Sequence, residues 1–251
     1  MENTYTETKF CRIAGKRMIN DNFVELLLEN EKMAKEAKPG QFVHINVGSE
    51  AHLLRRPISI CDAYDNITRI IFEVKGEGTR LLSEKNEGDI IDVLGPLGQG
   101  FTVKKGQRAV IIGGGIGSFP LLYLAKSLDA PKTFLGFRNK SIVCMEDDFK
   151  ATGEVMIATD DGSYGYHGFA IDLAKEALKD GCDIIYACGP APMLKAVKAL
   201  SEETGIKAEI SMEQRMGCGI GACLVCVCKT KSGYEKVCQR GPVFNSDEVE
   251  F

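Results

Sequence analysis

Arg108-Ala-Val-Ile-Ile-Gly-Gly-Gly-Ile-Gly117 is an apolar run behind one arginine that stops on glycines and continues into Ser118-Phe-Pro120. The run predicts a buried strand that closes on a glycine turn, with a helix from Pro120 to Leu128 opening behind it. Three further short apolar runs lie downstream, at Thr133–Phe137, Glu154–Ala158 and Asp183–Ala187. Amphipathic stretches follow at Ile171–Lys179 and Ala191–Glu203. Strands alternating with helices imply βαβ units and a parallel sheet.

Upstream of about Lys104 the texture is different. Asn22–Leu28, Phe42–Val47, Ile67–Val74 and Gly88–Gly95 have strand length, separated by turn signals such as Lys38-Pro-Gly40 and Asp65-Asn66. Closely spaced short strands favour a small antiparallel barrel or sandwich. The last 40 or so residues are rich in cysteine and glycine, with no repeats or low-complexity tracts anywhere. The expectation is a mixed β and α/β chain in three pieces, residues 1–103, 104–207 and 208–251.

Composition narrows the function. With 251 residues, 44% hydrophobic and 26% charged, the chain can bury a core without help from a metal, so a metal centre would serve chemistry. A net charge of −4 and the lack of a basic run argue against a nucleic-acid partner. Ala109–Ala125 carries no charge, but its four glycines and Pro120, and its length, fall short of the roughly 20 apolar residues a membrane span needs. The start, Met1-Glu-Asn-Thr-Tyr-Thr-Glu7, is too polar for a secretory signal. Ten cysteines in such a chain indicate a reducing compartment, the cytoplasm. Cys11, Cys61, Cys144 and Cys182 stand among apolar neighbours and read as core fillers.

Cysteine spacing is the sharpest chemical signal. Cys218, Cys223, Cys226 and Cys238 follow C-x4-C-x2-C and a distant fourth, the spacing of plant-type [2Fe–2S] sites. Gly217, Gly219, Gly221 and Ala222 let a tight loop bring thiolates and backbone N–H groups to one small cluster. Zinc is the competing occupant, but its structural sites favour paired C-x2-C knuckles. Cys228 reads as a bystander. Gly113, Gly114, Gly115 and Gly117 would let a pyrophosphate approach the backbone at a helix start. Cys188-Gly189-Pro190 ends a second strand in the same manner and should share that rim. Arg56-Pro57-Ile58-Ser59, faced by Gly76-Glu-Gly-Thr-Arg80, reads either as a phosphate and flavin site or as surface turns.

Taken together these motifs resemble the ferredoxin–NADP reductase superfamily, and within it the electron-transfer subunits of class 1B dihydroorotate dehydrogenase. The resemblance spans the chain. It is most specific in Met212-Glu-Gln-Arg-Met-Gly-Cys-Gly-Ile-Gly-Ala-Cys-Leu-Val-Cys226 and Val237-Cys-Gln-Arg-Gly-Pro-Val-Phe244. Leu54-Arg-Arg-Pro-Ile-Ser-Ile60 and Val93-Leu-Gly-Pro-Leu-Gly-Gln-Gly-Phe101 also match.

The resemblance implies an FAD-binding β-barrel, a central NAD-binding α/β domain and a C-terminal [2Fe–2S] domain. Arg56, Pro57, Ile58 and Ser59 would form the flavin motif, completed by Phe72, Glu73, Val74, Gly78 and Thr79. Ile58 departs from the aromatic residue usual in the superfamily. The implied role is to pass electrons between NAD(H) and the FMN of a partner dihydroorotate dehydrogenase subunit in pyrimidine synthesis. The assembly would be a heterotetramer of two of each. This chain would hold no dihydroorotate site and no catalytic acid or base. Within the superfamily the alternative is a reductase subunit of a hydrogenase, sulfite reductase or transhydrogenase.

Overall fold

The computed structural model describes residues 7–251, so Met1–Thr6, most of the polar start, lie outside the described residues. Six strands close an antiparallel barrel: β1 (Thr8–Met18), β2 (Phe23–Glu29), β3 (Phe42–Ile45), β4 (Arg56–Tyr64), β5 (Ile67–Glu73) and β6 (Ile90–Leu97). Their order around it is β1-β2-β5-β4-β3-β6. Closure removes the free edges of the sheet, and Val24, Leu26, Val43, Ile60, Ile70 and Val93 fill the inside. Two short helices cap the barrel, α1 (Glu31–Glu36) and α2 (Glu77–Ser83). Asn30 accepts from Met33 N at the start of α1, an ordinary cap for an orphan donor.

The second layer is a sheet with helices on both faces. Its parallel strands are β7 (Ala109–Gly114), β8 (Lys132–Phe137), β9 (Glu154–Thr159), β10 (Tyr166–His167), β11 (Ile184–Cys188) and β12 (Ala208–Ser211). The connecting helices are α3 (Phe119–Ser127), α4 (Glu146–Lys150), α5 (Ala170–Leu178) and α6 (Ala191–Thr204). Strand order is β10-β9-β8-β7-β11-β12, with a further strand from the end of the chain, β15 (Val243–Asn245), beside β12. Leu121, Leu122 and Leu124 of α3 pack on one face, while Leu194, Val197 and Leu200 of α6 and Ala174 of α5 cover the other.

The cysteine-rich end contributes a hairpin, β13 (Val227–Thr230) with β14 (Gly233–Lys236), then α7 (Val237–Arg240) and β15 (Val243–Asn245). The sheet extends past Lys207. β12 begins at Ala208 and pairs in parallel with β11, which makes Ala208–Ser211 part of the sheet. The cysteine-rich end also returns to the sheet, where β15 pairs antiparallel with β12 through Ile210–Phe244. A three-residue strand gains its place from that pairing and from Phe244, which is buried.

Ion pairs tie the barrel to the helices of the sheet layer. Arg69 of β5 meets Glu25 of β2 at 2.5 Å and reaches across to Asp148 of α4 at 2.7 Å. Asp62 of β4 pairs with Lys126 of α3. Arg69 and Glu25 are both buried, so losing either costs about 3–5 kcal/mol by stranding the other charge, whereas Asp148 and Lys126 are part-exposed and their pairs are worth less. These ties hold β4 and β5 of the barrel against α3 and α4, the helices beside the sheet.

Candidate functional site

One cavity of about 290 Å³ is shared by all three pieces of the chain. From the barrel come Pro57, Ile58 and Ser59 at the head of β4, with Phe72 and Glu73 at the end of β5. Thr79 of α2 borders it as well. The sheet contributes Ile116 of the glycine turn and Cys188 at the end of β11. The cluster segment adds Met212, Glu213 and Met216. Phe42, Phe72 and Phe119 give aromatic walls, while Ile58 makes its part of the lining aliphatic.

Beside the cavity, Arg56 lies flat on the first turn of α2. A side chain on Gly78 would place its Cβ 1.9 Å from Arg56 Nε, so only glycine leaves that space. Arg56 also donates to the carbonyl of Leu54. Thr79 Oγ1 accepts from the backbone N–H groups of Lys75 and Gly76, which fixes the turn after Val74. A guanidinium on a glycine-lined turn fits a phosphate or pyrophosphate, and the apolar cavity next to it fits a flat ring. Arg56→Ala is expected to weaken flavin binding by roughly 1.5–3 kcal/mol, the worth of one charge-assisted hydrogen bond. Gel filtration at low protein concentration reads it as loss of yellow colour from the protein peak.

The two strand ends of the sheet meet in register, Gly113 of β7 opposite Cys188 of β11. Gly113 and Gly114 finish β7, and residues 115–118 form a single 3-10 turn into α3. Most of these glycines serve packing. A Cβ on Gly117 would lie 2.5 Å from Cys188 O, and one on Gly114 would meet Met193 and Pro190. A Cβ on Gly189 would lie 2.5 Å from Met193 Cε and 3.1 Å from the backbone of Gly114. Gly115 differs: its φ is +55° and a Cβ there would meet nothing within 4 Å. It is the position from which the turn faces open space beyond the strand ends.

The four expected cluster cysteines come as two pairs. Cys223 N donates to Cys218 Sγ at 3.3 Å, and Cys238 N donates to Cys226 Sγ at 3.5 Å. Gly221 N donates to Cys238 Sγ at 3.2 Å and so links the loop to α7. Two thiolates for each of two irons is what a [2Fe–2S] cluster requires. Among the described residues no three such side chains converge as ligands of one metal ion. Cys226 and Cys238 are buried, while Cys218 and Cys223 are part-exposed. Burial raises the Cys218 thiol, but N–H groups of Ile220, Cys223 and Ala222 outweigh it and bring it down to about 7. Burial, then the contact with Cys226, pushes Cys238 up to about 12. Cys228 is buried on β13 among core residues.

Several cavity residues escaped the reading of the sequence. Ser211 ends β12 beside Cys188. Glu213 opens onto the cavity, its carboxyl raised by desolvation, with Lys75 pulling it down and Glu73 pushing it up. It stands inside the recognised Met212–Cys226 motif, where only cysteines and glycines carried an obvious chemical reason.

Residues 213–250 match the iron–sulfur cluster binding domain of dihydroorotate dehydrogenase B. A dihydroorotate dehydrogenase B (NAD(+)) electron transfer subunit from Caldanaerobacter subterraneus subsp. tengcongensis is 39% identical over 245 residues, 96% of this chain and 98% of that one. The chain belongs to this family. Its counterpart from Geobacillus sp. (strain WCH70) is 46% identical over 250 residues, covering 94% of this chain and 96% of that one. Among solved structures, the NADH-dependent reduced ferredoxin-NADP oxidoreductase of flavin-based electron bifurcation superposes with a TM-score of 0.84 at 27% identity. The match covers 97% of this chain and 91% of that one. As a member of the dihydroorotate dehydrogenase B family the chain is an electron-transfer subunit, with the barrel, parallel sheet and iron–sulfur segment expected of it. No helix among the described residues is long and apolar enough to cross a membrane.

Proposed function

We propose that this chain passes electrons between NAD(H) and the FMN of a partner dihydroorotate dehydrogenase subunit, in a cytoplasmic heterotetramer of two of each. The observation that carries the reading is the single cavity where the flavin motif, the Cys188 strand end and Met212–Met216 of the cluster segment meet. FAD exchanges two electrons with a nicotinamide as hydride and single electrons with a [2Fe–2S] cluster, which carries one at a time.

The chain's own residues supply position and shelter. Arg56 and the turn at Gly78-Thr79 would hold flavin phosphates, with Pro57–Ser59, Phe72 and Glu73 against the ring. The strand ends at Gly115 and Cys188 would receive the nicotinamide nucleotide, beyond the carboxyl ends of the sheet where such folds bind ligands. Cys218, Cys223, Cys226 and Cys238 would hold the cluster. Around it Ile220, Leu224 and Val225 are exposed, Leu224 at 71%. An apolar rim beside a redox centre suits docking of the partner, which must come close to take single electrons.

Coexpression with the FMN-containing catalytic subunit tests the reading. The two are expected to copurify with FAD, FMN and iron, and the complex should reduce NAD+ with dihydroorotate, while this chain alone should not. A chain that stays apart from that subunit yet feeds electrons from NADH to another redox protein would favour the alternative. The bifurcating oxidoreductase, with its high structural similarity, is the observation on that side.

A further inference from the structure

His44 of β3 stands between the flavin strand and the cluster loop. In the barrel it is paired with Pro57 of β4 on one side and with Leu94 of β6 on the other. Its side chain is fully buried. What presses on the ring is Gly219, the residue after the first cluster cysteine: a Cβ there would lie 2.4 Å from His44 Nδ1 and 3.1 Å from Cε1. Gly219 has φ +73°, a conformation that turns the loop back over the ring and that other residues rarely adopt. The backbone of His44 is itself pinned, since Arg55 donates to its carbonyl at 3.3 Å and to Asp92 Oδ2 at 2.6 Å.

Both ring nitrogens of His44 are buried without a hydrogen-bond partner. Leaving buried polar atoms unpaired is destabilising, and an aromatic hydrocarbon would fill the same space without that cost. The ring faces the backbone of Arg55, next to the flavin motif, and of Cys218, the first cluster ligand, closely enough to interact weakly with each but without the geometry of a formed hydrogen bond to either. A neutral imidazole offers one donor and one acceptor. Strand and loop thus meet at one unsatisfied imidazole.

We propose that His44 is the positioning residue of the cluster, donating its ring N–H to the backbone carbonyl of Cys218 when the loop is loaded. This fixes the Cys218–Cys223 half of the glycine-rich loop to the barrel strand next to Arg56–Ser59. The separation of flavin and cluster is then set by a rigid barrel rather than by a loop containing Gly217, Gly219 and Gly221. The inference rests on the four cysteines being the cluster ligands, as read above. Groups that orient metal ligands are worth about 10–100-fold in metal affinity or activity.

The test compares wild type, His44→Phe and His44→Gln, each reconstituted anaerobically with iron and sulfide. Iron per chain, the rate of iron loss to a chelator and the electron paramagnetic resonance spectrum after dithionite are measured. His44→Phe keeps the bulk and loses the donor, so its iron should leave about 10–100-fold faster and its spectrum should shift. His44→Gln restores an N–H donor and should recover most of both. If His44→Phe matches wild type in release rate and spectrum, or if His44→Gln is as impaired as His44→Phe, the proposal is overturned. Wild type that binds no iron would overturn the ligand assignment, and this proposal with it. Should His44→Phe not fold, Gly219→Ala addresses the same contact from the loop. Its Cβ must displace the ring, giving the same fast release and shifted spectrum; normal values for both would overturn the idea.

Discussion

Cys223→Ser is expected to strip the chain of most of its iron while leaving it yellow. The wild type should carry about two irons per chain, as a four-cysteine [2Fe–2S] site does. Cys223 shares its half of the site with Cys218, its own N–H donating to that sulfur. A serine hydroxyl is a far poorer ligand than a thiolate for iron, so one iron loses half its protein ligands. The flavin motif is on β4 and β5, which supply none of the four cysteines, so FAD should stay bound and still be bleached by NADH. Transfer onward to the partner should fall to background. Cys228→Ser is the control. Cys228 packs in the core of the C-terminal segment, opposite Glu235 in the hairpin register. Its replacement should leave the iron count unchanged. Metal analysis and visible spectra decide both, and unchanged iron in Cys223→Ser would remove that residue from the ligand set.

The cysteine motif was legible because its chemistry is local: three of the four ligands lie within nine residues of chain. Strands such as β7 and β11 were legible for a similar reason, since burial on both faces leaves an unbroken apolar run. β1 was not. Its alternation is inverted at the start, with Lys9 turned inward to donate to Gly95 O at 2.7 Å and Phe10 outward at 70% exposure. A lysine in a barrel wall is tolerable only because that carbonyl and Glu36, 3.1 Å away, receive its charge. β12 and β15 were missed because short strands are defined by partners far along the chain. His44 looked like an ordinary strand residue in Phe42-Val-His-Ile45. Its burial depends on Gly219, 175 positions later. The expected glycine loop was found in the right place, but its chemistry was divided otherwise than the pattern suggested. Gly113, Gly114 and Gly117 are glycines because backbone and side chains crowd them, and Gly115 alone looks onto open space.

That division sharpens the expected behaviour of Gly115→Val. At φ +55° a β-branched residue is strained, and sparsely populated backbone conformations cost about 1–3 kcal/mol. Its side chain would meet no protein atom near Cβ, so it would project beyond the strand ends. A nucleotide pyrophosphate placed there, at the start of the turn into α3, would collide with it. Loss of about 1.4–2.8 kcal/mol of binding corresponds to roughly 10–100-fold in affinity, and a rise of that size in the KM for NADH is expected. Gly115→Ala separates the two causes. Alanine carries the backbone strain without the branched bulk, so it should lie well nearer to wild type. Dithionite, which needs no nucleotide site, should bleach flavin and cluster normally in both variants. Stopped-flow reduction of the bound flavin by NADH makes the decision. A normal rate and a normal KM in Gly115→Val would mean that the turn only joins β7 to α3, and the nucleotide would have to bind elsewhere along the rim that Cys188 and Ser211 share.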